Sequence, residues 1–291
     1  MFQGFRGGYP KGTTMVASPI VKWAGGKSRL LSQYQAYLPT QFKRYFEPFA
    51  GGAAMFFWLR GQRAPFSATL SDSNQELVNC YQVVQERPQP LLDRLRQMSE
   101  RHTPDYYYQV RAELPADEVA RAARLIYLNK TCYNGLYRVN SSGHFNVPMG
   151  RYKNPSIVQE EKIWAAHTAL QGVTLNTRPF DKAAAVARKG DFVYLDPPYQ
   201  PLNPTSSFTS YTKDSFGEPQ QRLLAQIFKR LVRRGCQVML SNSDSEFVQE
   251  LYCEFERIEV QAPRFINSKS DKRSAIKELL ILGRPAENLS K

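Results

Sequence analysis

The feature of this sequence that most constrains its fold is a short apolar run that ends abruptly on a carboxylate. The run Phe192-Val193-Tyr194-Leu195 follows Gly190 closely and leads directly into Asp196-Pro197-Pro198-Tyr199. A short run that is apolar at every position is typical of a parallel strand covered on both faces. Such a strand brings the residue after it to the edge where open α/β sheets bind ligands. The sequence therefore predicts a buried strand from Asp191 to Leu195, with Asp196 at its functional end.

Strand and helix signals alternate at both ends of the chain. Strands are predicted at residues 44–49, 66–70, 191–195 and 236–240. Helices are predicted at 53–59, from 74 onward and at 219–234, where Gly235 closes the helix. A final antiparallel pair is predicted at 256–260 and 277–282. This alternation predicts an α/β fold with a largely parallel sheet and helices on both faces.

The middle of the chain has a different character. Residues from about 88 to 156 are polar and helical at first, and then form a predicted hairpin. In the hairpin, apolar and polar residues alternate over 135–140, Ser141-Ser142-Gly143 forms the turn, and residues 144–149 form the returning arm. We interpret this stretch as an insertion that divides the sheet domain.

The charge of the chain favours an acidic partner. Its 39 Lys and Arg outnumber 26 Asp and Glu, for a net charge of +13, and neither residues 1–46 nor residues 119–159 contain an acid. Nucleic acid is the first candidate. The apolar runs are far shorter than the roughly 18 residues that a membrane span needs. Four Cys and three His residues lie scattered without metal-ligand spacing, so we expect a reduced, intracellular protein without a metal.

The segment from Asp196 to Tyr199 carries the strongest chemical signal. A carboxylate and a proline carbonyl that converge on one point suit an amino group whose nitrogen gains positive charge as it reacts. Tyr199 offers a face on which a planar base can stack. Asp-Pro alone is common in ordinary turns, but the full tetrapeptide after this strand indicates a reactive site.

A second segment is Glu47-Pro48-Phe49-Ala50-Gly51-Gly52, where a strand runs into a glycine turn. Asp72 follows 20 positions later at the end of the next predicted strand, where an acid commonly binds ribose hydroxyls. The glycine spacing is not that of a dinucleotide fingerprint, so the pair suggests a nucleoside cofactor without a pyrophosphate. Asp72 has a second interpretation as the cap of the helix that begins near Asn74.

A third segment, Lys22-Trp23-Ala24-Gly25-Gly26-Lys27-Ser28, invites comparison with a phosphate-binding P-loop. That motif needs a glycine at position 21, which is Val21 here, and no convincing strand precedes it. The alternatives are a turn that holds an adenosine and a carboxylate, or one that contacts DNA phosphate.

In their order, these segments resemble the Dam-type (D12 class, group alpha) DNA adenine-N6 methyltransferases, and the resemblance extends from about Ile20 to Gly283. It includes Tyr133-Asn134-Gly135-Leu136-Tyr137-Arg138 and Phe145-Asn146-Val147-Pro148-Met149-Gly150-Arg151-Tyr152, which look like the hairpin of members that recognise GATC. The resemblance implies a Rossmann-like sheet at residues 20–85 and 160–285. It also implies a mainly helical DNA-recognition domain at 86–159, with its hairpin at 133–152. Residues 1–19 match no motif.

The resemblance further implies methyl transfer from S-adenosylmethionine to adenine N6 of double-stranded DNA by base flipping. Catalysis is implied for Asp196, Pro197 and Tyr199. Cofactor contacts are implied for Trp23, Gly26, Lys27, Glu47, Phe49, Gly51, Asp72, Phe180, Asp181 and Asp196. DNA contacts are implied for Lys22, Tyr133, Asn134, Leu136, Arg138, Pro148, Arg151 and Tyr152. We expect a monomer without metal or membrane partner, associated with the nucleoid of a bacterial or phage-infected cell, alone or beside a restriction enzyme.

The hairpin chemistry agrees with this expectation. Leu136, Arg138 and Asn140 would share one face of a regular strand, from which Arg138 can bind guanine O6 and N7 and Leu136 can contact a thymine methyl. A surface hairpin packed by its tyrosines is the plain alternative.

Two other functions stay open at this point. One is an RNA or protein aminomethyltransferase with the same tetrapeptide, although glutamine methylators favour Asn where this chain has Asp196. The other is a DNA-binding or NTP-hydrolysing protein in which Lys27 and Ser28 bind phosphate, which leaves Asp196 to Tyr199 unexplained.

Overall fold

A seven-stranded, mostly parallel sheet forms the centre of the protein. The computed structural model describes residues 16–199, 216–262 and 276–285. The strands are β1 (Arg44–Glu47), β2 (Ser67–Asp72), β3 (Thr174–Thr177), β4 (Phe192–Leu195), β5 (Gln237–Ser243), β6 (Glu256–Ala262) and β7 (Ile276–Gly283). Their order across the sheet is β3-β2-β1-β4-β5-β7-β6. The first five are parallel and β7 is antiparallel to both its neighbours, which confirms the predicted α/β fold and its final antiparallel pair.

Successive side chains of the central strands point into two separate cores. Tyr45 and Tyr194 pack into one cluster, and Phe46 and Val193 into the other. All four residues of β4 are buried, as expected of a parallel strand that is covered on both faces. Each face of the sheet is therefore covered.

Helices follow the strands much as predicted. Those of the sheet domain are α1 (Leu31–Tyr34), α2 (Ala54–Gln62), α3 (Gln75–Glu86), α7 (Glu160–Leu170), α8 (Phe180–Ala184), α9 (Glu218–Arg233) and α10 (Glu246–Leu251). Helix α9 buries Leu224, Ile227, Phe228 and Leu231, which recur at helical spacing on the face towards the sheet. Within the described ranges, no helix is long and apolar enough to cross a membrane.

The predicted insertion consists of three helices and an irregular hairpin. The helices are α4 (Pro88–Glu100), α5 (Pro104–Ala112) and α6 (Glu118–Thr131). Helix α6 packs against α3, and residues of the insertion and the sheet share one apolar cluster. A boundary at residues 86 and 159 stays a prediction, because this packing is continuous.

The hairpin differs from the regular two-stranded ribbon that the sequence predicted. It turns at the predicted place, but among described residues its arms pair only through two isolated bridges, Cys132 with Met149 and Val139 with Phe145. A 3₁₀ turn (Tyr133–Gly135) begins the first arm, with Asn134 at φ +54°. Because this backbone is not a regular strand, the period-two rule does not decide which of its side chains share a face.

The sheet gathers functional groups along one edge. Parallel strands end together, so the residues after β1, β2, β3, β4 and β5 meet at the same edge. Strand β7 runs the opposite way, and its first residues therefore lie at this edge as well. This edge, which we call the active edge, thus receives the residues that end or follow β1, β2, β3 and β4, among them Asp72 and Asp196.

Candidate active site

Asp196 lies at the active edge directly after β4, where two donors approach its carboxylate. Lys27 Nζ lies 2.9 Å from Asp196 Oδ1. The hydroxyl of Ser241, on β5, donates to the same oxygen at 2.8 Å, and Ser241 Oγ lies 3.1 Å from the Tyr194 hydroxyl. The side chain of Lys27 is almost fully buried and that of Asp196 is 19% exposed. The carboxylate is therefore fixed in orientation while one side of it stays accessible.

The two prolines after Asp196 are held by a pair of buried amides. Gln221, on α9, donates to the carbonyl of Pro198 at 3.1 Å. Asn242, on β5, donates in turn to Gln221 Oε1 at 3.0 Å, and both amide side chains are buried. Pro197 itself is buried. The backbone that presents the Pro197 carbonyl is thus fixed by α9 and β5.

Two charged residues contact Tyr199, one at its hydroxyl and one over the face of its ring. Its hydroxyl donates to Glu278 Oε2, on β7, at 2.7 Å. The ammonium of Lys27 lies 4.5 Å from the centre of its ring, in cation–π range. Burial, and then the charge of Asp196, raise the pKa of the Tyr199 phenol well above its ordinary value, so the phenol is a neutral donor.

The glycine turn after β1 is built around Gly51, and three side chains define it. Asp72 Oδ2 accepts from Gly51 N at 2.9 Å, and the Tyr81 hydroxyl donates to Gly51 O at 2.7 Å. Gly51 has φ +47°, and a Cβ there would lie 2.9 Å from Trp23 Cδ1. Only glycine fits both the backbone conformation and the close approach of the indole.

The alternative role of Asp72 as a helix cap is wrong, since Asn74 caps α3. The Asn74 side chain accepts from Leu77 N at 3.0 Å. Asp72 Oδ1 instead accepts from Asn74 N at 2.8 Å, so its two oxygens connect the end of β2 to the glycine turn. Burial raises the pKa of Asp72, and the backbone N–H groups that it accepts from oppose that rise.

The segment with the P-loop-like ending does not form a phosphate cradle. Within the described residues no strand precedes it, and Lys27 Nζ donates to Gly25 O at 2.6 Å while pairing with Asp196. Gly26 N bonds Trp23 O at 3.1 Å in a tight turn. The lysine is committed to a carboxylate, so the structure does not support the P-loop interpretation.

Glu47 ends β1 as a fully buried acid. The hydroxyl of Tyr45 donates to Glu47 Oε2 at 2.8 Å. Burial raises the pKa of Glu47 to about 8; the hydrogen bond from Tyr45 opposes this rise, and the charges of Asp196 and Asp72 add to it. Glu47 is therefore protonated near neutral pH, so it adds no negative charge beside Asp196 and Asp72.

Three phenylalanines lie together beside the glycine turn. Phe49 stacks on Phe180 with ring centres 5.0 Å apart, and Phe216 contacts both at 5.7 and 5.5 Å. All three are only half buried, which leaves aromatic surface accessible. Asp181 follows Phe180 at the start of α8, and its Oδ2 lies 3.7 Å from Lys182 Nζ. The predicted Phe180 position thus joins the same cluster as Phe49.

Asn129 joins the segment before Trp23 to the root of the hairpin. Its amide bonds both backbone groups of Lys22 and the carbonyl of Gly135. Trp23 stacks on Tyr137 with ring centres 5.1 Å apart. The predicted cofactor segment and the predicted DNA hairpin are therefore in direct contact.

Most of the predicted DNA contacts are exposed, and two pairs of them meet around this root. Lys22 Nζ lies 5.3 Å from the centre of the Tyr152 ring, and Tyr133 N donates to Pro148 O at 2.9 Å. The exposed predicted residues are Lys22, Tyr133, Asn134, Arg138, Pro148, Arg151 and Tyr152. Arg138 is oriented by Asn146, whose Oδ1 accepts from its Nε at 2.7 Å.

Leu136 does not share the face of Arg138 as the sequence predicted. It is half buried and packs against the main core. The side chain of Asn140 accepts from Ser142 N at 3.0 Å and His144 N at 2.9 Å, so it stabilises the tip of the hairpin. The irregular first arm explains both differences.

Several residues that shape the site were not singled out from the sequence, namely Tyr81, Asn129, Gln221, Ser241, Asn242 and Glu278. A signal existed for three of them. Ser241 and Asn242 are polar at the end of an otherwise apolar strand, and Glu278 interrupts the start of the next. Tyr81, Asn129 and Gln221 lie in amphipathic helices, where pattern alone does not mark a buried polar group. In the described residues, no group of three His, Cys, Asp or Glu could hold a metal ion.

Comparisons with known proteins agree on one family. The family model of the D12 class N6 adenine-specific DNA methyltransferases matches residues 23–266. Type II methyltransferase M.MjaIII of Methanocaldococcus jannaschii is 43% identical over 92% of this chain and 99% of its own. Type II methyltransferase M1.LlaDCHI of Lactococcus lactis is 42% identical over 90% and 94%. The DNA adenine methylase of Escherichia coli K12 is 36% identical over 91% and 95%.

Proposed function

This chain belongs to the D12 class of N6 adenine-specific DNA methyltransferases, and we propose that it methylates adenine N6 within GATC in duplex DNA, with S-adenosylmethionine as donor. Membership of this family favours DNA as the substrate over RNA or protein, and methyl transfer over NTP hydrolysis. The observation that carries the proposed site is the Asp196 carboxylate, fixed by Lys27 and Ser241 at the edge where the Gly51 turn lies.

The side chains around Gly51 fit a nucleoside donor. Asp72 is half-buried and each of its oxygens accepts one backbone N–H, which leaves acceptor capacity for ribose hydroxyls. The space that a Cβ at Gly51 would fill lies against Trp23. Phe49 and Phe180 supply aromatic surface for an adenine ring. Trp23, Gly51, Asp72, Phe49 and Phe180 would therefore hold the donor, which supplies a methyl group on a positively charged sulfur.

The acceptor side follows from the fixed groups around Asp196. The target adenine leaves the duplex at a cost of a few kcal/mol and stacks on Tyr199. Its N6 donates to the Asp196 carboxylate and the Pro197 carbonyl, and these bonds direct the nitrogen lone pair away from the ring plane. As N6 takes the methyl group it becomes positive, the adjacent carboxylate stabilises that charge, and N6 then releases one proton. Holding both reactants in line accounts for much of such catalysis.

Recognition is proposed for the exposed root and arm of the hairpin. Arg138, oriented by Asn146, would bind one guanine of the site through O6 and N7. Tyr133 and Asn134 are exposed at the root and would fill the gap left by the extruded base. Lys22, Arg151 and Tyr152 would contact the backbone or adjacent bases. Leu136 would contact DNA only through the part of its side chain that stays exposed, because the rest packs against the core.

The working state that we infer is a monomer acting on the DNA of a bacterial or phage-infected cell. Two of the relatives are named Type II methyltransferases and others are named DNA adenine methylases. A single chain would serve either as a solitary methylase or beside a restriction enzyme, since one catalytic edge and one hairpin surface lie on the same molecule.

The decisive experiment sequences modified bases in DNA from cells that express the protein. We expect N6-methyladenine at GATC, and its absence there with methylation at another site would overturn the proposed specificity. In vitro, Asp196→Ala should abolish transfer of labelled methyl groups while the protein still binds DNA. Retained turnover in this variant would show that Asp196 is not the catalytic carboxylate.

A second experiment tests the role of Arg138. Arg138→Ala should reduce discrimination at one guanine by about 1–3 kcal/mol, measured as the ratio of methylation rates at GATC and singly altered sites. Arg94→Ala, on the exposed face of α4, is the matched control and should leave the ratio unchanged. An unchanged ratio in Arg138→Ala would assign that base to another residue.

A further inference from the structure

Glu278 reaches the active edge from a strand outside the parallel sheet. It is the third residue of β7 and pairs in register with Ser243, the last residue of β5. The residues after it in β7 are buried and apolar, from Leu279 to Leu282. The half-buried carboxylate of Glu278 is therefore held on a rigid element beside the end of β5.

The contact that Glu278 makes is with the hydroxyl of Tyr199. The phenol donates to Glu278 Oε2 at 2.7 Å. A hydrogen bond to a carboxylate is shorter and stronger than one between neutral groups. Burial raises the pKa of Glu278, whereas the positive charge of Lys27 and the bond from Tyr199 lower it. The groups that favour the ionised form of Glu278 are thus Tyr199 itself and Lys27, which lies over the Tyr199 ring.

Tyr199 is held from two directions. Glu278 fixes the hydroxyl end, and Lys27 lies over the ring, 4.5 Å from its centre. A tyrosine ring turns about two side-chain torsions: the bond at the hydroxyl, which lies on the axis of χ2, restricts χ1, and Lys27 over the face of the ring restricts χ2. A ring that is already oriented does not lose that freedom when a base stacks on it.

We propose that Glu278 is a positioning residue for methyl transfer, which holds the Tyr199 ring through its hydroxyl in the orientation that receives the extruded adenine. This inference rests on the proposed role of Tyr199 as the stacking surface. Glu278 touches neither substrate nor donor in this account and acts through Tyr199 alone. The chemical step itself is unchanged, because Glu278 neither gains nor loses a proton during it.

The test is a mutant cycle on full-length protein. Glu278→Ala and Tyr199→Phe each remove the hydrogen bond, and each should slow single-turnover methylation by about 10- to 100-fold with little change in the Kd of S-adenosylmethionine. The double variant should be no slower than the slower single variant, because both changes break one interaction. Glu278→Gln should recover most of the rate, since its amide oxygen still accepts from the phenol.

The second readout is the stacking of the base. DNA with 2-aminopurine at the target position reports extrusion and stacking by its fluorescence, and Glu278→Ala and Tyr199→Phe should change this signal in the same way. Glu259→Ala is the matched control on the same antiparallel pair, where Glu259 and its partner Lys277 are both exposed. It should retain the wild-type rate and signal.

The outcomes separate this inference from the proposed function. If Asp196→Ala retains turnover, the proposed site fails as a whole. If Asp196→Ala is inactive but Tyr199→Phe methylates at the wild-type rate, only the role of Glu278 is overturned, and this holds even where Glu278→Ala fails to fold. Losses that multiply in the double variant would also overturn it, because the two residues would then act independently.

Discussion

The side-chain amide of Asn129 bonds both backbone groups of Lys22, a residue 107 positions earlier in the chain. Oδ1 accepts from Lys22 N at 2.8 Å and Nδ2 donates to Lys22 O at 2.7 Å. The same Nδ2 donates to Gly135 O at 3.0 Å. One buried amide therefore joins the segment that leads to Trp23 with the root of the hairpin, and so connects the proposed donor and DNA sites.

We predict that Asn129→Ala lowers the free energy of unfolding by about 2–4 kcal/mol, because it removes three hydrogen bonds and strands their backbone partners. Asn79→Ala is the control, since this buried amide makes one bond, to Glu118 O at 3.0 Å, and should cost about 1 kcal/mol. Urea unfolding measures both. If both variants lost the same free energy of unfolding, Asn129 would stabilise the protein no more than a buried amide with a single hydrogen bond.

A second prediction concerns the buried pair of Lys27 and Asp196. Lys27→Met leaves the carboxylate without its cation and should cost about 3 kcal/mol of stability. Adding Asp196→Asn removes the unpaired charge, so the double variant should be more stable than Lys27→Met alone. The control is Lys182→Met, whose exposed ammonium lies 3.7 Å from Asp181 and should contribute less than about 1 kcal/mol. A double variant less stable than Lys27→Met would contradict the prediction.

A third prediction uses two glycines with positive φ. Gly51→Ala and Gly172→Ala both place a side chain in the left-handed region, at φ +47° and +72°, and each should cost about 1–2 kcal/mol. Only at Gly51 does the new methyl group meet a neighbour, Trp23 Cδ1 at 2.9 Å. We therefore expect Gly51→Ala to raise the Kd of S-adenosylmethionine about tenfold, or 1.4 kcal/mol, by calorimetry. Gly172→Ala should bind normally, and equal affinities would place the donor elsewhere.

A fourth prediction concerns the pH dependence of stability. The pKa of Glu47 is raised by burial from 4.5 to about 8 in the folded protein. Between these values the unfolded chain releases a proton that the folded protein retains, so rising pH favours unfolding by up to about 1.4 kcal/mol per pH unit. This stability is fully present below pH 4.5 and is lost as the pH rises to about 8.

Glu47→Gln removes this titration while its amide oxygen still accepts from Tyr45. Urea unfolding at pH 6 and pH 8 should therefore show a smaller loss of stability in this variant than in the wild type. Glu259→Gln, an exposed change of the same kind, should keep the wild-type loss. A Glu47→Gln protein that loses as much as the wild type would show that Glu47 is ionised throughout.

Much of the fold was readable from local pattern. The apolar run before Asp196, the Gly51 turn and the amphipathic helix before Gly235 each mark an element by its own residues. The hairpin was located correctly but its arms were predicted as regular strands. The 3₁₀ turn at Tyr133–Gly135 was not predicted. Asn134 adopts a left-handed conformation there, and the alternation of apolar and polar residues does not indicate backbone conformation.

By itself, the sequence determined that Asp196 follows a strand that is buried on both faces, because such burial demands an apolar run and all four residues of β4 are apolar. Only the tertiary structure decided which side chains meet there. Lys27 binds Asp196, Glu278 binds Tyr199 and Asn129 binds Lys22 across separations that no local pattern encodes. These partners are chosen by strand order and helix packing, which bring distant residues within the 3 Å that a hydrogen bond or ion pair requires.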